Sequence, residues 1–204
     1  SKGVDTQMNG KNPGRSLTFE NEPTCKKSDF LHVLAATVLF FLLPSCSQVL
    51  YETVRFTDES DNATVTRSTG NVLAGYPISK RVSLNAECRT KPNGARIFFL
   101  IAEYFHESLM LKEWLAIDTS EHIAIKIDGR LIRLPAVPGR YVQQSIDGHP
   151  SETAVYEAPL EIFESILDAR EVIVRIKGSG QTVERKFDSE NYQFMRRFLE
   201  EVRR

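Results

Sequence analysis

Three imidazoles lie beyond residue 45 of this 204-residue chain, His106, His122 and His149, and the spacing of their neighbours decides what each could do. His106-Glu107 opens like a zinc-protease motif, but that motif needs a second His four residues after the first, and position 110 is Met. Glu103 and His106 would share a face only on a helix. Asp118, Glu121 and His122 fall within five residues, so a carboxylate could tune the imidazole as a general base; the competing expectation is a solvated turn. Trp114, the single Trp, is read as a core or edge anchor, or as a ring against which a sugar or a partner could stack. Trp114, Asp118, Glu121 and His122 are therefore the candidate site residues. The sequence has no Gly-x-Ser-x-Gly elbow, no Gly-x-x-x-x-Gly-Lys loop and no Gly-x-Gly-x-x-Gly turn, the arrangements that activate a serine or cradle phosphates. The expectation is no metal, no cofactor and a non-enzymatic role, with a site assembled from distant residues as the alternative.

The strongest chemical signal is a cysteine. Residues 30–43 form an apolar run interrupted only by His32 and Thr37, preceded by Lys26 and Lys27 and closed by Leu43-Pro44-Ser45-Cys46. Fourteen helical residues reach roughly 21 Å, short of a hydrocarbon core of about 30 Å and typical of the apolar region of a signal peptide. A buried core helix, a true span and ordinary signal cleavage are the competing readings. Leu43-Pro44-Ser45-Cys46 resembles the lipobox of bacterial lipoproteins. That resemblance implies acylation of the Cys46 sulfur, cleavage between Ser45 and Cys46, and a protein held by several acyl chains, each buried methylene contributing roughly 0.8 kcal/mol. It further implies a location in the bacterial cell envelope, lipid-anchored and periplasm-facing, with Ser47 suited to the outer membrane where two membranes are present. The implied role is an interaction or structural module with an envelope protein as partner.

Three regions follow from this reading: a polar leader and basic segment at 1–29, an apolar segment and lipobox at 30–45 that is removed, and one mature domain at 46–204. Residues 1–45 hold five of the 26 Lys and Arg and four of the 27 Asp and Glu, leaving 21 basic and 23 acidic side chains. A nucleic-acid binder would show a basic excess, so no nucleic-acid partner is expected. Cys25 and Cys46 fall outside the domain body, which leaves Cys88 as a lone, buried thiol and no internal disulfide.

Beyond Ser47 the chain is written in short segments of strand chemistry. Val49–Phe56, 63–69, 81–88 and 95–105 are rich in Val, Ile, Thr and aromatic residues and are separated by Gly, Pro, Asn and Asp. Ile123, Ile125 and Ile127 alternate up to Asp128-Gly129 and a return strand, a hairpin signature. Residues 139–146 and 152–159 add two further strands. The character changes at Pro159: Leu160, Phe163, Ile166 and Leu167 share a helical face, strands flank Gly178-Ser179-Gly180, and Tyr192, Met195, Leu199 and Val202 stripe a last helix edged by Phe198. The fold expected is mainly β, an antiparallel β-sandwich of nine to eleven strands with two late helices. The alternative is an α+β sheet with the helices covering one face.

Overall fold

The computed structural model describes residues 51–108 and 113–204. The leader at 1–29, the segment at 30–45, Ser45, Cys46 and the strand start expected at Val49 lie outside the described residues. A compact unit spans Gln48–Arg204.

The described residues are mainly β, with two antiparallel sheets and two late helices. The elements are β1 (Glu52–Asp58), β2 (Ala63–Thr69), β3 (Lys80–Thr90), β4 (Arg96–His106), β5 (Ile123–Ile127), β6 (Arg130–Leu134), β7 (Ala136–Ile146), β8 (His149–Glu157), α1 (Leu160–Asp168), β9 (Val172–Lys177), β10 (Thr182–Lys186) and α2 (Ser189–Arg203). The larger sheet runs β1-β2-β3-β4-β8-β7 and the smaller β10-β9-β5-β6. The hairpin read from Asp128-Gly129 is β5–β6, with Ile125 opposite Ile132 and positive φ at both turn residues. No helix among the described residues is long and apolar enough to cross a membrane.

One face of the larger sheet and one face of the smaller meet in a common core. Val82, Leu84, Ala86 and Cys88 of β3 and Phe98, Leu100, Ala102 and Tyr104 of β4 join Ile123, Ile125, Val172, Val174 and Ile176 there, each strand contributing alternate residues as its pleat requires. The helices complete the second layer. Phe163 of α1 packs between Phe98 and Phe198 with tilted rings, at centroid distances of 5.6 and 6.1 Å. Phe198 is fully buried rather than marginal. Asn191 is buried too, because it closes the helix cap and crosses to the loop after β2. Its Oδ1 accepts from Asp188 N, while its Nδ2 donates to Asn71 Oδ1 and Val72 O.

The continuous apolar run of β4 is buried on both faces. His106 points into the core side at 3 % exposure and accepts from Glu113 N. Strand alternation sends Glu103 to the opposite face, so the two cannot act together. Cys88 is a buried free thiol, and burial pushes its pKa up.

Candidate binding cleft on the outer sheet face

The face of the larger sheet that points away from the core is built from the odd-numbered residues of β3 and β4 and their neighbours in register. Ser83 pairs with Glu103, Asn85 with Ile101 and Glu87 with Phe99; β8 continues the rows with Thr153 opposite Glu103 and Ser151 opposite Phe105. A minor apolar cluster of Phe99, Ile101 and Val155, flanked by Val137, lies in the middle of this face.

Beside that cluster sits Glu87, with no solvent exposure. Arg67 of β2 donates to it through Nε at 2.7 Å and through Nη2. Arg140 of β7 donates from Nη2 at 3.0 Å, with its guanidinium 4.9 Å from the Phe99 ring centroid, and Arg89 stands at 4.0 Å. A buried carboxylate persists only with such compensation. Arg140 reaches it because the pairing of β7 with β8 is interrupted between Ala136 and Tyr141, where Gly139 takes φ 74°. The bulge leans Val137 and Arg140 over the sheet.

Toward the end of the sheet where β3 begins, the same face opens into a cleft of about 340 Å³. Arg81, Ser83, Glu103, Gln144, Ser151 and Thr153 supply its polar groups, and Phe105 and Ile146 its apolar walls. Arg81 stacks on Phe105 with its guanidinium 4.7 Å from the centroid and pairs with Glu107 at 2.9 Å. Burial pushes the Glu103 carboxyl up, against the opposing pull of Asn85, Arg67 and Arg81. Next to this group, Asn85 is 1 % exposed; its Oδ1 accepts from Asn71 N, while its Nδ2 is buried without a hydrogen bond of normal geometry. Glu103 is the only acid among the described residues that line the cleft, and none of these is His or Cys. The arrangement can hold a neutral hydroxyl- or amide-bearing group by hydrogen bonds.

None of the four candidate site residues, Trp114, Asp118, Glu121 and His122, lines this cleft. Asp118 accepts from the Ser120 hydroxyl and from Ser120 N in a local turn, and those hydrogen bonds hold its carboxyl below the usual range. Glu121 pairs with Lys177 at 2.6 Å on the surface, and His122 is exposed beside it. Trp114 is 38 % exposed, its carbonyl accepting from Gln181 Nε2. They belong to a strap, held where Glu152 accepts from Ala116 N at 2.9 Å, Ile117 N at 2.8 Å and the Tyr141 hydroxyl at 2.9 Å. Among the described residues, no three His, Cys, Asp or Glu side chains converge to hold a metal ion. Spacing missed the cleft because its residues come from four strands. The available signal was the polar alternation Arg81, Ser83, Asn85, Glu87 in a segment otherwise apolar.

Comparison of the sequence with protein-family models finds no match, and comparison with curated proteins finds none either.

Proposed function

We propose that the chain is a lipid-anchored protein of the bacterial cell envelope, whose domain from Cys46 onward acts as an interaction module and takes a ligand or partner segment on the outer face of its six-stranded sheet. The observation that carries this reading is the position of the domain boundary. The compact unit begins at Gln48, two residues after the lipobox-like Leu43-Pro44-Ser45-Cys46, and strand pairing begins at Glu52. Cleavage before Cys46 would therefore leave the compact unit whole and place the acyl chains directly at its entrance. The outer membrane is the expected location where there are two, since Ser47 follows the cysteine.

The rival reading is a periplasmic enzyme, and it draws on Glu103, a half-buried carboxyl able to carry a proton at higher pH than usual. General acid catalysis works with a second titratable or nucleophilic partner; the described lining sets Glu103 among hydroxyls, an amide and Arg81, a set suited to hydrogen-bonded binding. Metabolic labelling with a fatty-acid analogue tests the anchor. Wild type should incorporate label and shorten by the leader, whereas Cys46→Ala should stay unlabelled and unprocessed; equal labelling of both would end the proposal.

A further inference from the structure

Tyr76 and Ile78 are the most exposed large apolar side chains among the described residues, at 87 % and 82 %. They project from a turn whose backbone is tightly held. Ala74 exchanges two hydrogen bonds with Lys186, each 3.0 Å, Lys80 N donates to Pro77 O, and Glu107 N donates to Ser79 O. Arg185, only 4 % exposed, donates to the carbonyls of Tyr76 at 3.0 Å, Pro77 at 3.2 Å and Lys80 at 2.6 Å. Gly75, at φ 154°, is part of the fit, since a Cβ there would lie 2.5 Å from Arg185 Cδ. A buried guanidinium thus fixes the frame of a turn that presents two apolar side chains to the outside. Ordinary loop tips do the reverse, combining polar side chains with loose backbone.

We infer that the 76–78 turn is a membrane contact: Tyr76 and Ile78 enter the interfacial layer of the bilayer that carries the acylated Cys46, and orient the domain end-on. This rests on the anchoring reading above. Register supports it. Glu52 pairs with Thr69, and the β2–β3 register, in which Arg67 faces Glu87, continues to bring that level of the sheet to Asn85. Lys80, where the turn ends and β3 begins, lies five residues from that level along β3, about 17 Å at strand rise. β1 runs parallel to β3, so Glu52 stands at the end of β1 that is nearer the turn. Cys46 is six residues before Glu52, and six extended residues span at most about 20 Å. The tether can therefore bring the acyl chains level with the turn, two strand spacings, or about 10 Å, to the side. Tyr51, stacked on Phe194 at 4.4 Å, ties the start of this tether to α2. Ile146, 42 % exposed, adds apolar surface at the same end, because its partner His149 follows the level at which Ser151 faces Phe105. Tyr and Ile are side chains suited to that depth, the phenol remaining among headgroups while the ring and the aliphatic chain sit in the acyl boundary.

The test places an environment-sensitive fluorophore on the full-length lipoprotein, purified from membranes in a Cys88→Ala background, at Ile78→Cys or at Asn93→Cys in the β3–β4 turn at the opposite end of the sheet. In vesicles of phosphatidylethanolamine and phosphatidylglycerol, the label at 78 should shift to the blue and be quenched several-fold by brominated lipids, while the label at 93 should behave as in water. A protein that floats with the vesicles but keeps both labels in water overturns the contact and leaves the anchor standing. Quenching at both positions overturns the end-on orientation. Shielding at 78 in native envelopes but not in protein-free vesicles assigns the turn to a protein partner instead. Failure to incorporate fatty acid or to float removes the anchor, and the membrane contact with it.

Discussion

Arg140 Nη2 lies 3.0 Å from Glu87 Oε1 although β7 and β3 are separated by two intervening strands in the sheet. Three strand spacings put the two backbones about 14 Å apart, so the contact depends on both side chains lying along the sheet face, with the Arg140 guanidinium over the Phe99 ring.

That dependence is asymmetric. Removing Arg67 and Arg140 together strands a carboxylate that has no solvent exposure, whereas removing the carboxylate leaves guanidiniums with 37 % and 28 % side-chain exposure that water can reach. Arg67→Ala with Arg140→Ala is expected to lower stability by about 3–5 kcal/mol, and Glu87→Gln by only about 1 kcal/mol. Urea unfolding of the three proteins measures the difference.

Glu103 imposes a pH dependence of the opposite sign to an ordinary paired carboxylate. Its folded pKa is raised, chiefly by burial, so the folded state holds its proton more tightly than the unfolded state. At pH values below the unfolded pKa neither state is ionised and the group costs nothing. As pH rises through the folded pKa the cost of a partly desolvated charge develops in full. Glu103→Gln should therefore raise the melting temperature at pH 7 to 8 and leave it nearly unchanged near pH 3 to 4. A variant less stable at neutral pH would show that Glu103 is stabilising as an anion.

Gly178 follows β9 at the point where the strap crosses it, and Ile117 bridges to it. A Cβ at Gly178 would lie 1.9 Å from the Leu115 carbonyl oxygen, backbone that has no soft way to give. Gly178→Ala is expected to cost about 1–3 kcal/mol or more. Gly180→Ala, where a Cβ meets open space, should cost far less; thermal melts of the pair decide.

In α2, Leu199 is 3 % exposed and Arg196 lies on the solvent side. Truncating such a leucine usually costs about 2–5 kcal/mol against a domain total of roughly 5–15, and adding a buried charge costs more. Leu199→Asp should leave the protein unfolded or aggregated. Arg196→Asp should shift its melting temperature by no more than a few degrees, as circular dichroism would record.

The elements of this protein were legible in its sequence wherever a local period met a local stop. The alternation of Ile123, Ile125 and Ile127 before Asp128-Gly129 marks a hairpin, and the Met195, Leu199 and Val202 stripe after Asp188 marks a capped helix, because pleat, helical pitch and turn geometry act within a few residues. Asp118, Glu121 and His122 misled for the same reason. Proximity along the chain does not make side chains converge, and these three ended in a surface turn and an ion pair with Lys177. The outer face depended on strand order, which long-range pairing alone decides. Only when β8 and β7 are laid beside β4 does Arg140 meet Glu87 across the Phe99 ring, and only then do Ser83, Glu103 and Thr153 come to line one cleft. Burial was likewise a tertiary outcome. His106 and Glu103, three residues apart on β4, were turned by the pleat to opposite faces, one into the packed core and one toward the cleft, where desolvation by surrounding strands shifts a carboxyl that its neighbours in sequence would have left ordinary.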